Sequence, residues 1–307
     1  MNWFSDAFAA CQLKLFEVVA PWLYQFGMGN LLEDAYAAST WLLVGLIQIA
    51  VLLSVIGPLQ RWRPAEAVTD RASIRTDVIY TLIHRLGLFR VALFFTLEPM
   101  FNTGFGLLRS AGFGTFHLDQ VWPGVTDGAV ASFVIYLLAL DLAAYWLHRG
   151  QHRISLWWRL HSLHHSQQQM TMWSDNRNHL LDDVLVSVLL VLLAQLMGVP
   201  PEQFVAIVAL TQLSESLQHA NLRLSFGRIG ERLWVSPLFH RVHHSVHSGN
   251  CNYGVLLPWW DQLFGTANHQ THYEPTGVKD AQGKALNDGS GLWSQQWHGL
   301  KRLLGRT

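Results

Sequence analysis

The chain has 307 residues, half of them apolar and only 14% charged, a balance that suits a membrane protein better than an average soluble domain. Its formal net charge is zero, which argues against nucleic acid or strongly acidic molecules as partners. Two cysteines, Cys11 and Cys251, are too few for a disulfide framework or a thiolate metal site, whereas 16 histidines are well above an ordinary share.

Met1–Phe26 mixes Asp6, Lys14 and bulky aromatics. It lacks the basic start and small-residue cleavage site of a signal peptide, and reads as an interfacial helix with tryptophans at the headgroup level. Trp41–Leu59 carries no charge and is long enough to cross a hydrocarbon core of about 30 Å. Leu86–Leu108, interrupted by Arg90 and Glu98, is a span or a re-entrant hairpin. Gly128–Leu147 is apolar except for Asp141. Val184–Val199 and Phe204–Leu217 form a helical hairpin turned by Val199-Pro200-Pro201-Glu202, whose short first arm tilts or dips into the bilayer. The tail after Thr266 is polar and closes with a short amphipathic helix around Leu292–Leu304.

Loop charge sets the orientation. The segment after the first span holds Arg61, Arg63, Arg71 and Arg75, and the one after the third holds Arg149, Arg153, Arg159 and Arg177. The segment after the hairpin holds Arg223, Arg228, Arg232 and Arg241. The positive-inside rule puts all three in the cytosol. The fold expected is an all-α integral membrane protein of about four to five transmembrane or re-entrant helices, with a cytosolic helical cap that carries the histidines. Its parts are an N-terminal membrane region at 1–127, a catalytic region at 128–277 and a tail at 278–307.

Three histidine clusters fall in those basic segments: His148-Arg-Gly-Gln-His152, His161-Ser-Leu-His164-His165 and His240-Arg-Val-His243-His244. Positions i, i+3 and i+4 share a helix face, so each cluster aims two or three imidazoles at one point. Neutral imidazole ligates iron, zinc, copper and nickel. So many histidines exceed what one tetrahedral zinc can use, and they suit two metals. Asp141 lies on one stripe with Tyr145, His148 and His152. An ionisable group there is costly and usually functional, so its carboxylate is expected to accept an outer ring N–H of a ligand; an ion pair with Arg90 is the bland alternative. Glu215 and His219 repeat that logic at i, i+4. His84, His117, His269, His272 and His298 stay unassigned, and His247 is off the repeat.

The pattern resembles the fatty acid hydroxylase/sterol desaturase superfamily, in its compact prokaryotic type, from about Gly128 to Gly277. Asp141 to His152 resembles the first box, and Trp158 to Ser166 the second. Arg177-Asn-His179 resembles the Arg-x-His that follows, with Leu180 and Asp182 in place of the usual Pro and Glu. His219-Ala-Asn221 resembles the His-Ala-Asn element, and Ser236 to Ser245 the last box. Asn252-Tyr-Gly254, Trp260-Asp261, Leu263 to Thr266 and Pro275-Thr-Gly277 resemble the trailing signature, with Asn250 where an Asp often stands. The resemblance implies His148, His152, His161, His164, His165, His179, His219, His240, His243 and His244 as metal ligands, supported by Asp141, Glu215 and Asn221. It implies a di-iron centre, O2 as co-substrate, and hydroxylation or desaturation of a fatty acyl, sterol, carotenoid or ether lipid drawn from the bilayer. No His-Pro-Gly-Gly haem-binding element occurs, so a separate reductase, ferredoxin or cytochrome must supply electrons. The expected location is a bacterial inner membrane, with the active site on the cytosolic side. The alternative is a non-catalytic or metal-transporting membrane protein that uses the clusters only to bind metal.

Overall fold

A computed structural model describes residues 3–279 and 282–305. Met1, Asn2, Asp280, Ala281, Arg306 and Thr307, at the edges of the expected N-terminal helix and tail, lie outside the described residues. The described chain is helical, with two isolated β-bridges, Ser245 to Thr276 and Lys279 to Ala285. Helix α1 (Trp3–Gln25) lies against α2 (Leu32–Val51), with Gln12 donating to Tyr36 O and Thr40 Oγ1. A π-helical turn at Leu52–Ile56 carries α2 into α3 (Gly57–Trp62). Next come α4 (Arg71–Arg85), α5 (Leu88–Thr96) and α6 (Glu98–Ser110). The remainder is α7 (Ala129–Arg153), α8 (Ser155–His165), α9 (Leu180–Met197), α10 (Pro201–His219), α11 (Gly227–Gly230), α12 (Pro237–His243), α13 (Trp259–Leu263) and α14 (Leu292–Leu303).

Among the described residues, three helical stretches are long and apolar enough to cross a membrane: Gly29–Trp62, Ala129–Arg153 and Leu180–Met197. A fourth crossing exists if α4 and α5, which meet at a 52° bend, count as one broken span. The membrane element expected at Leu86–Leu108 is therefore displaced. It starts one helix earlier, in α4, and breaks at Leu86–Gly87, where Gly87 is left-handed (φ 79°).

The α9–α10 hairpin forms as expected, and for identifiable reasons. Gly198 ends α9 in the left-handed conformation (φ 72°), and a Cβ there would meet His117 Nδ1 at 2.6 Å. Pro201 then opens α10 at a position where its missing N–H costs nothing.

Arg85 ties the bundle together. Its guanidinium reaches Gln48 on α2, Gln212 and Ser216 on α10, and Asp175 at 2.7 Å. A charge is tolerable at this depth because every donor of its two terminal nitrogens that faces the protein meets an acceptor. Beside it, Arg90 is not paired with Asp141. Its guanidinium lies 3.5 Å over the Trp41 ring. A buried apolar cluster of Leu52, Ile56, Met172, Ala220 and Leu222 joins the π-turn of the first span to the segment just past His219, which fixes the cap on the bundle.

Candidate metal centre

The three histidine clusters lie on α7, α8 and α12, and His219 ends α10. Helix α12 is short, and its start is secured by the Ser236 hydroxyl, which accepts the Phe239 N–H, with Pro237 in its first turn. The four elements bring nine histidines into two adjoining groups. His148, His152, His161, His165 and His243 offer ring nitrogens that all lie within 4.8 Å of one another, and so do His164, His219, His240 and His244. The groups share a wall: the His165 and His244 rings stack at 4.2 Å between centroids, and His164 and His161 at 5.3 Å.

The nitrogens are arranged as a metal would require. In the five-histidine group, Nε2 of His152, His161, His165 and His243 is buried without a hydrogen-bond partner. In the four-histidine group, Nε2 of His219 lies 3.1 Å from that of His164 and 3.0 Å from that of His240, which lies 3.2 Å from that of His244. His219 spends its Nδ1–H on Glu215 O at 2.8 Å, so its Nε2 faces its neighbours as a bare lone pair. Cis ligands on an octahedral ion with bonds of about 2.1 Å would stand about 3.0 Å apart. Burial, reinforced by the neighbouring imidazoles, holds His164, His165, His240, His243 and His244 well below the usual imidazole pKa. They are neutral at pH 7, the form that ligates metal. Both groups therefore fit a metal ion by donor type, protonation state and spacing.

The outer ring nitrogens of three of these histidines are held by groups that helical phase did not reveal. His161 Nδ1 donates to Asp182 Oδ2 at 2.9 Å, while Asp182 Oδ1 accepts Gln151 Nε2 at 2.8 Å and Trp157 Nε1 at 2.6 Å. His148 Nδ1 donates to Tyr253 O at 2.9 Å and His243 Nδ1 to Cys251 O at 2.7 Å. Those two carbonyls flank Asn252, which is left-handed (φ 56°), a conformation that asparagine tolerates better than most residues. Asn252 is pinned by its Nδ2, which donates to Phe239 O and Asn268 O.

Asp141 does not reach His148 or His152. Its carboxylate accepts the backbone N–H of Leu256 and Leu257 and Trp260 Nε1, at 2.9, 3.2 and 2.9 Å. Asp261 works from the other side, accepting Tyr253 N and Gly254 N. Gly254 has no room for a side chain, since a Cβ would lie 2.8 Å from Asp261 Oδ2. The two carboxylates thus shape the loop whose carbonyls orient His148 and His243. Asp141 is connected to those two histidines only through that loop.

The other expected residues fall in three places. Glu215 meets His219 through its backbone carbonyl and not through its carboxylate. Asn221 lies outside both histidine groups. It grips the strap between the first span and α4, accepting Ala65 N and Glu66 N and donating to Glu66 O. His179 stands apart from the centre: Nε2 donates to Gln296 O and Nδ1 accepts Leu181 N, which leaves neither nitrogen for a metal.

The family described as fatty acid hydroxylase matches residues 133–266, so the likeness read from the histidine boxes is borne out there. An ornithine lipid hydroxylase, OlsE, of Rhizobium tropici is 28% identical over 230 residues, 74% of this chain and 67% of that protein. An alkylglycerol monooxygenase of Caenorhabditis elegans is 25% identical over 146 residues, 47% of this chain but 28% of its own length. A Delta(7)-sterol 5(6)-desaturase, ERG3B, of Gibberella zeae is 28% identical over 135 residues, 44% of this chain and 41% of its own length. The chain therefore spans two thirds of the first relative and less than half of the other two. No solved structure matches it significantly.

Proposed function

We propose that this chain, which over residues 133–266 belongs to the fatty acid hydroxylase family, is a membrane oxidoreductase that hydroxylates or desaturates a lipid with O2 at a two-iron centre. One observation carries the reading: nine buried or half-buried histidines converge as a group of five and a group of four with a shared wall. The relatives' names supply the reaction class, since they are a lipid hydroxylase, a monooxygenase and a desaturase.

His148, His152, His161, His165 and His243 would hold one ion, and His164, His219, His240 and His244 the other. Iron bound there supplies the activation of O2 and the abstraction of hydrogen from an unactivated carbon. The protein's own work is positional. Asp182 and the carbonyls of Tyr253, Cys251 and Glu215 keep Nδ1 of His161, His148, His243 and His219 protonated, so that Nε2 of these four is the free donor. Burial among apolar helices excludes water from the reacting carbon. The lipid enters from the bilayer along the spans, and the shape of its path to the centre would select among the fatty acyl, sterol, carotenoid and ether classes. Electrons come from a separate reductase, ferredoxin or cytochrome. The catalytic unit is 128–277, framed by the membrane region 1–127 and the tail 278–307. The basic segments around the boxes favour a centre on the cytosolic side of a bacterial inner membrane.

The test pairs metal analysis with lipidomics. Cells expressing the chain, compared with cells expressing His164→Ala, should gain a lipid one oxygen heavier or two hydrogens lighter, only in the presence of O2. Metal bound by the purified protein with unchanged lipids across repeated hosts would favour the non-catalytic or transport reading.

A further inference from the structure

The terminal helix α14 has two unlike faces. One is locked into the protein. Gln296 donates to Tyr80 Oη and Asn178 O, accepts the Leu180 N–H through its side chain, and accepts His179 Nε2–H through its carbonyl. Gly299 passes so close that a Cβ would lie 2.3 Å from His179 Cδ2. Arg159 Nη1 donates to Leu303 O, and Arg302 Nε donates to Arg159 O.

The other face carries Trp293 and Trp297 at i, i+4, 80% and 56% exposed. Two large indoles left open to water would cost free energy with no return. Their position removes the difficulty. Between α14 and the start of α9 runs an apolar groove of about 430 Å³, lined by Ile83, Phe89, Leu180 and Trp293 among others. It continues past Leu181 and Trp297 to Leu300. Leu180 is the first residue of a membrane-length helix, so the bilayer surface lies at the level of this groove. The exposed residues next to it, Leu181 and Leu185 on α9 and Leu88 and Val91 on α5, extend the same apolar belt. Lys301 stands 5.7 Å over the Trp297 ring, a cation at the height of lipid phosphates. Indoles flanked by a basic side chain are the usual equipment of a helix lying in a membrane interface.

We propose that α14 is seated in the membrane surface, with Trp293 and Trp297 at the headgroup level and a lipid acyl chain in the groove beneath them. The helix then serves as a brace. Anchored in the leaflet, it holds His179 and Leu180 at the first turn of α9, the turn that also carries Asp182. This gives His179 a place in the fold that does not depend on any metal, and the proposal stands apart from the reading of the centre.

The test uses the full chain in lipid nanodiscs, with Cys11 and Cys251 replaced by Ser and one new cysteine for a nitroxide label. Trp293→Cys and Trp297→Cys are compared with Leu185→Cys on the face of a span and with His272→Cys on an exposed loop. Relaxation by O2, which partitions into lipid, is measured against relaxation by a water-soluble nickel chelate. The labels at 293 and 297, seated at the headgroup level, should favour O2 more than the label at 272 does and less than the label at 185. Nickel-dominated relaxation like that at 272 would overturn the proposal. So would shielding from both reagents, which would mean that a second copy or another protein covers this face. Quenching of the unlabelled chain by lipids brominated near the headgroup should also fall in the Trp293→Phe/Trp297→Phe double variant; unchanged quenching counts against the proposal.

Discussion

His161 and Asp182 meet through a 2.9 Å hydrogen bond between Nδ1 and Oδ2, and the second oxygen of Asp182 is taken by Gln151 and Trp157. The carboxylate is buried, both of its oxygens are taken, and its imidazole partner belongs to the five-histidine group. Asp182→Asn keeps the shape but removes the charge that strengthens the imidazole as a donor. Loss of such a partner costs about 10–100-fold in metal affinity or activity. Competition with a chelator of known strength should show a loss of that size. The metal-free protein should melt with little change, because the amide oxygen can still accept Gln151 and Trp157 while its NH2 meets His161 Nδ1, whose proton moves to Nε2. Unaltered affinity would leave Asp182 as a packing residue only.

Asp141→Asn should behave differently. The carboxylate accepts three N–H groups, and an amide must turn its own NH2 toward at least one of them. A buried donor left without an acceptor costs about 1–3 kcal/mol. The variant should lose stability by that order, and amide exchange should rise across 252–257, because the loop has lost one of its two clasps. Metal affinity should fall less than in Asp182→Asn. The reverse ranking would mean that Asp141 acts on the ligands directly.

Asn221→Ala removes the three hydrogen bonds that hold Ala65 and Glu66. A stability loss of about 1–3 kcal/mol and faster proteolysis in the strap between Arg63 and Asp70 are expected, with metal content retained. Loss of metal without loss of stability would return Asn221 to the centre.

Acid should weaken the metal-free fold. Burial depresses the pKa of His164, His165, His240, His243 and His244 in the folded chain, whereas in the unfolded chain they titrate near about 6.5. Below that pH the unfolded state binds more protons, so stability is fully present above about 6.5 and declines as pH falls. Melting temperatures recorded from about pH 8 to about pH 5.5 should drop on the acid side. A flat or rising curve would show that these rings are protonated in the fold.

The histidine boxes were legible because helical phase is local: i, i+3 and i+4 on one helix fix which rings point the same way. The partition into five and four was not, since it depends on how α7, α8, α10 and α12 cross. Asp141 shows the limit of phase. It shares a stripe with His148, but seven residues along a helix is about 10 Å of rise. Side chains on one stripe point together at the next element, not at each other, so Asp141 meets the loop at Leu256 and Leu257. Asp182 was visible as an acid in a family position, yet its partner His161 is 21 residues away on another helix. The backbone carbonyls of Cys251 and Tyr253 leave no trace in side-chain identity at all. His179 matched a motif, but Gln296 of α14 engages its Nε2 and Leu181 of α9 its Nδ1. The spans Trp41–Leu59 and Gly128–Leu147 were plain from hydropathy alone, whereas the break at Gly87 was not.

Anaerobic titration of the metal-free protein with ferrous iron counts the ions that the two histidine groups hold. Two equivalents should bind per chain. His148→Ala should weaken one step of the titration and His164→Ala the other, because the two residues belong to different groups. A single equivalent in the unaltered chain, or both variants weakening the same step, would contradict a centre built as five and four histidines.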